Sequence, residues 1–189
     1  VSEYSVPLIF DQVNTLSRRL LPSSIKLEFR RPCDEMRIRV DQNQLITAMI
    51  NLIVNARDAM GGSGELLVRA TGHDLSIPTP MHDNQMIAPG RYVCITIQDN
   101  GPGIPHDVLR RVTEPFFTTK AIGEGSGLGL SMVEGFARQS GGGMMIETSG
   151  AGTRVRLYLP CASLQPQEQP KSAEKPALLK APQPQPAIV

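Results

Sequence analysis

No apolar run in these 189 residues approaches the roughly 18 needed to cross a bilayer as a helix. No charged segment leading into an apolar one opens the chain as a secretion signal would. Charge of one sign is missing too. The formal net charge is +1, which leaves no strong field to favour nucleic acid or an anionic membrane, so neither is expected as a partner. Cysteine is scarce: Cys33, Cys94 and Cys161 lie far apart, odd in number and without a CxxC, which indicates neither a zinc knuckle nor a disulfide framework. Cys94 sits in an apolar alternating stretch and reads as a small core residue. A reducing, cytoplasmic compartment fits this usage. Two familiar phosphate-binding patterns are also missing. Neither GxGxxG nor GxxxxGK[ST] occurs, so the Rossmann and P-loop modes fail.

What is present suits one ordinary core, with 40% hydrophobic residues. The chain begins at Val1 rather than methionine, as a piece of a longer protein would. After Pro160 the composition changes to Pro, Gln, Lys and Ala with no apolar period. Residues 161–189 are therefore expected to be a flexible tail or linker, with the folded domain over residues 1–160. Pro7–Leu21 carries Leu8, Ile9, Val13, Leu16 and Leu20 at helical spacing. Ile25–Arg30 alternates as a half-buried strand, and Arg37–Val40 is a second short one. Asp41–Met60 is the clearest helix, with a capping-box-like start at Asp41 and Gln44 and a stop at Gly61–Gly62. Glu65–Thr71 and Arg91–Gln98 read as strands, and Gly72–Gly90 between them as a long mobile loop. A short helix is expected around His106–Val112 within the loop Ile104–Gly127, then a helix over Leu128–Ser140 and a closing hairpin, Met144–Thr148 with Arg154–Leu159. The pattern implies an α+β two-layer sandwich.

Four segments carry chemistry. Asn51, Asn55 and Asp58 fall along one stripe of the clearest helix. Amide oxygens there suit a hard cation such as Mg²⁺, and a solvated helix face is the plain alternative. Asp99-Asn-Gly101-Pro-Gly103-Ile104 follows a strand directly. It would set a carboxylate in a pocket beside a backbone that a ligand can approach closely, or form an ordinary turn. Glu114-Pro-Phe116-Phe117-Thr-Thr-Lys120 places two aromatics together in a chain with only 4% of them. They would dock the loop, and Lys120 would reach a phosphate or simply be solvated. Gly123-Glu-Gly125-Ser126-Gly127-Leu128-Gly129 opens a helix, where backbone N–H groups and the helix dipole favour an anion.

In order and spacing these four segments resemble the N box, first glycine box, phenylalanine box and second glycine box of bacterial sensor histidine kinases. The resemblance covers essentially residues 1–160. The Phe-Phe-Thr-Thr-Lys run looks most like kinases of the nitrogen-regulatory and oxygen-sensing type. The wider superfamily includes gyrase and MutL. Its Bergerat ATP-binding fold implies a mixed sheet of about five strands backed by three helices.

The resemblance implies roles for particular residues. Asp99 would hold the adenine amino group, with Gly101 and Gly103 letting the nucleotide lie close. Asn55 would coordinate Mg²⁺ and Asn51 would lie beside the phosphates, with Asp58 further along the same stripe. Ile104 through Gly127 would form the ATP lid, anchored by Phe116 and Phe117. Lys120 and the amides of Gly125, Ser126, Gly127, Leu128 and Gly129 would stabilise phosphate charge. Gyrase-like ATPases and anti-sigma-factor serine kinases carry a glutamate base where Asn51 stands, so the resemblance implies ATP-to-histidine phosphotransfer rather than efficient hydrolysis. His73, His82 and His106 lack the context of a phosphoacceptor. The acceptor is expected on a dimerisation domain upstream, and a response regulator or receiver domain as the onward partner. The alternative is a nucleotide-responsive interaction module without phosphotransfer. An anti-sigma-type serine kinase is disfavoured by Asn51 and the phenylalanine box.

Overall fold

The computed structural model describes residues 1–32, 36–82, 84–120 and 125–162. Expectations placed on Cys33, Gly123 and the segment 163–189 lie outside them. Strand β1 (Ser2–Ser5) leads into helix α1 (Val6–Leu20), which carries a proline in its first turn. There the missing N–H costs nothing and the fixed φ suits the helix. Strands β2 (Ile25–Arg30) and β3 (Arg37–Val40) follow, β3 pairing antiparallel with β1. Helix α2 (Gln42–Ala59) starts where Asp41 accepts the backbone N–H of Gln44 at 3.0 Å, satisfying one of the first-turn donors.

Strands β4 (Gly64–Leu75) and β7 (Gly90–Asp99) pair antiparallel from Leu66 opposite Asp99 to Leu75 opposite Gly90. Between them, β5 (Thr79–Pro80) and β6 (Met86–Ile87) make a small two-stranded sheet. A single turn, α3 (His106–Leu109), lies in the lid region, followed by helix α4 (Gly129–Gln139) and the hairpin of β8 (Gly143–Ser149) and β9 (Gly152–Pro160). The main sheet is five-stranded in the order β2-β4-β7-β9-β8, with β2 parallel to β4 and every other pairing antiparallel. The buried sides of α1, α2 and α4 join one face of this sheet in a single core that includes Phe10, Met49, Ile53, Ile95, Phe136 and Leu157. The expected mixed sheet backed by three helices is what the chain forms.

Two expectations are corrected. The buried side of α1 consists of Val6, Ile9, Phe10, Val13 and Ser17, while Leu8, Leu16 and Leu20 are exposed at 62%, 40% and 41%. The helix carries two apolar stripes of helical period, and packing against the sheet chose between them: Phe10 meets Phe29 edge-on at 5.8 Å. Ser17 is tolerated inside because its hydroxyl donates to the Val13 carbonyl at 2.7 Å.

The second correction concerns residues 72–90. They are not one long loop, because β4 continues to Leu75 and places exposed His73 on a strand. Met81 and Ile87 pack with Tyr92, Cys94 and Tyr158 into a second small core on the sheet face opposite the helices. Apolar residues here are too sparse to show a period of two, so contacts distant in sequence place them. Beyond Pro160, the backbone N–H groups of Cys161 and Ala162 still donate to the carbonyls of Arg91 and Arg37, at 3.0 and 2.8 Å. Among the described residues no helix is long and apolar enough to cross a membrane.

Candidate nucleotide site

Strand β7 alternates, so Ile95, Ile97 and Asp99 share the face turned to the helices, and Asp99 arrives at the strand end 7% exposed. Its Oδ1 accepts two backbone N–H groups, from Gly101 at 2.9 Å and Thr153 at 3.1 Å. Burial raises the carboxyl above its ordinary value, and the two backbone donors only partly oppose this. Both recorded bonds fall on one oxygen, which leaves Oδ2 as an acceptor for a ligand. A cleft of about 350 Å³ opens beside Asp99, with Thr148, Ser149 and Thr153 in its wall.

The lid is rooted at the same place. Ile104 donates its backbone N–H to the Thr148 hydroxyl at 2.8 Å, and that hydroxyl lies 3.2 Å from the hydroxyl of Thr153. Gly103, at φ +79°, passes so close that a Cβ there would collide with the Ser149 carbonyl. A Cβ on Gly101 would lie 3.5 Å from the Ala59 carbonyl of α2. The first glycine run therefore packs the strand end against the helix end. Thr148 and Thr153 were not singled out in the sequence, where Ser149–Gly152 reads as a plain hairpin turn. The only signal was a threonine on either side of that turn.

Along α2, Asn51 and Asn55 are partly buried and Asp58 is more open. A Cβ on Gly129 would sit 3.6 Å from the Asn55 amide nitrogen, so the mouth of α4 abuts the middle of α2. Lys120, from the lid, donates to Asp58 Oδ2, and Arg57 donates to Oδ1 at 2.8 Å. Partial burial would raise the Asp58 carboxyl, but these two cations outweigh it and hold it below its ordinary value. The second glycine run meets the phenylalanine run: the N–H of Phe116 donates to the Gly127 carbonyl at 2.9 Å. Gly127, at φ +66°, leaves no room for a Cβ against the Phe116 backbone. Ser126 is exposed, and its hydroxyl accepts the Leu128 N–H at 3.3 Å. No side chain caps the N-terminus of α4. A Cβ on Gly125 would lie 3.0 Å from the Thr118 hydroxyl and 3.1 Å from Lys120.

The structure thus gathers Asn55, Asp58, Lys120 and Gly129 at one end of α2 and Asp99, Gly101, Gly103 and Ile104 at the sheet end beside it. The expectation that both phenylalanines anchor the lid is corrected. Phe117 is partly buried under the Arg111 guanidinium, 4.3 Å from its ring centre. Phe116 stands 75% exposed, with a left-handed φ of +68°. Among the described residues no cluster of three or more His, Cys, Asp or Glu side chains could hold a metal.

A mixed sheet with helices on one face, a buried carboxylate at a strand end and a glycine-lined helix mouth define a nucleotide-binding class of α+β sandwich. Residues 40–163 match the family described as histidine kinase-, DNA gyrase B-, and HSP90-like ATPase, and the chain belongs to that family. Sensor kinase CckA of Brucella abortus (strain 2308) is 36% identical over 153 residues, which cover 80% of this chain and 16% of that protein. Sensor histidine kinase ZraS of Salmonella typhi is 31% identical over 161 residues, covering 84% and 30% respectively. Among solved structures, the catalytic domain of histidine kinase ThkA has the same fold, with a TM-score of 0.67 at 24% identity over 84% of this chain and 94% of that one. Mycobacterial sensor histidine kinase MprB gives a TM-score of 0.64 at 26% identity, covering 85% and 97%. The chain therefore spans less than a third of the curated relatives CckA and ZraS.

Proposed function

We propose that this chain binds Mg·ATP and presents its γ-phosphate to a histidine on a separate dimerisation domain, as the catalytic domain of a two-component sensor kinase. The observation that carries the reading is Asp99. A carboxylate held in place by two N–H groups on one oxygen offers the other to the amino group of adenine, which selects ATP over nucleotides that present a carbonyl there.

From that anchor the triphosphate runs along α2 toward the uncapped mouth of α4, whose N–H groups and dipole suit an anion. Asn51 and Asn55 offer neutral amide oxygens, a donor set that fits Mg²⁺ held chiefly by phosphate and water. When bound, the ion supplies charge neutralisation between the phosphates. Lys120 leaves Asp58 for the phosphate and adds its charge there. Phosphoryl transfer needs positioning and charge stabilisation more than covalent chemistry from the protein, and these groups provide both. Asn51 has no basicity to activate water, which favours transfer over hydrolysis. Phe116, exposed and held in a conformation costing about 1–2 kcal/mol, is the lid's contact for the dimerisation helix. A response regulator or receiver domain is the onward acceptor. The test is nucleotide binding by calorimetry with Asp99→Asn. Micromolar to millimolar affinity lost in the variant supports the reading, and unchanged affinity overturns it.

A further inference from the structure

The face of the main sheet opposite the helices carries a row of side chains that the nucleotide pocket does not use. Strand register sets Arg69 directly opposite Thr96, and Thr96 directly opposite Arg156. Strands lie about 4.8 Å apart, so the two arginines flank the threonine on the same face within easy reach of a common ligand. Thr96 is 1% exposed although no helix covers this side.

The charges here do not balance. Arg30, Arg69, Arg154 and Arg156 face Glu28 and Glu147. Glu28 is taken by Arg30 at 2.7 Å, and Glu147 accepts from both Arg156 at 2.7 Å and Arg154 at 3.2 Å. Arg69 has no carboxylate left, and its Nε is shut off from solvent with no hydrogen-bond partner. A buried donor on a charged group is costly unless an acceptor meets it.

We infer that Arg69, Thr96 and Arg156 form a second anion site that binds an oxyanion of the phosphate class, on the sheet face opposite the ATP pocket. The guanidinium fork of Arg69 presents Nε and a terminal nitrogen to two oxygens at once, which matches phosphate geometry. Arg156 supplies the second cation, and the Thr96 hydroxyl supplies a donor between them. The site is independent of the nucleotide reading, because none of its residues belongs to that pocket.

The experiment is a titration of the chain with inorganic phosphate, following the Nε–H resonances of Arg69 and Arg156 by NMR, with acetate as a parallel arm. The expected result is saturable movement of both resonances with phosphate and weaker movement with acetate. Arg69→Gln should weaken phosphate binding roughly tenfold or more, as loss of a charge-assisted pair implies. Arg69→Lys should keep the charge and lose the preference for phosphate over acetate. Resonances that do not respond to phosphate in the wild-type chain overturn the site whatever the variants do. Equal response to acetate overturns the phosphate class, and unchanged binding in Arg69→Gln removes Arg69 from the site.

Discussion

The ammonium of Lys120 rests on the carboxylate of Asp58, 62 positions earlier in the chain. The pair ties the lid to α2 at the place where phosphates are proposed to lie, so nucleotide and Asp58 compete for one lysine. Both side chains are about one-third exposed (33% and 28%), and pairs of this kind couple by about 1 kcal/mol or less. A double-mutant cycle with Asp58→Asn and Lys120→Met, measured by denaturant unfolding, should return such a coupling in the free chain. Saturating Mg·ATP should reduce it. A coupling that stays the same with nucleotide would mean that Lys120 never leaves Asp58.

The same pair has a pH signature. The Asp58 carboxyl is held below its ordinary value of 3.8, so its contribution to stability is fully present above that value and lost as pH falls through the lower folded one. Asp58→Asn should therefore flatten the acid limb of the stability curve and leave the neutral region shifted by a constant. An acid limb identical to wild type would show that the pair adds nothing.

Asp99 titrates in the opposite sense. Burial raises its folded value above 3.8, so the folded state binds more protons than the unfolded one between the two values, and stability declines as pH rises through that window. Its carboxylate persists at neutral pH at a cost to folding. Asp99→Asn keeps an oxygen for the N–H groups of Gly101 and Thr153 and removes the buried charge. The variant should gain roughly 1 kcal/mol and a few degrees in Tm while losing ATP affinity more than tenfold. Thermal melts with and without nucleotide check both halves. A destabilised variant would contradict the assignment of burial as the dominant effect.

Thr148 holds the lid root through the N–H of Ile104. Thr148→Val keeps the shape and removes the acceptor, and an unsatisfied partly buried N–H costs about 1–3 kcal/mol. Amide exchange at Ile104 should quicken and ATP affinity should fall, with Thr148→Ser restoring both. Failure of serine to rescue would indicate that the methyl group, not the hydroxyl, matters there.

Much of this site was legible before folding because its chemistry is local. Asn51, Asn55 and Asp58 are brought to one stripe by helix geometry alone, and the spacing Asp99–Gly101–Gly103 needs only a strand end and a turn. Thr148 and Thr153 were illegible because their role comes from a hairpin folding back on β7, a contact 44 positions long for Ile104 and 54 for Asp99. Phe116 and Phe117 look alike in sequence. Only the packed lid reveals that Phe117 lies under Arg111 while Phe116 points outward. The wrong face of α1 and the missed continuation of β4 share a cause: each stretch was ambiguous by period, and tertiary packing decided.

The central claim is that this chain transfers phosphate to a partner's histidine and not to itself or to water. The most direct measurement incubates it with labelled ATP and Mg²⁺, alone and with a purified dimerisation domain bearing the acceptor. The expected result is no label on this chain, little free phosphate, and acid-labile phosphohistidine on the added domain. Robust self-labelling at His73, His82 or His106, or no label on the added domain while ATP remains bound, would contradict it.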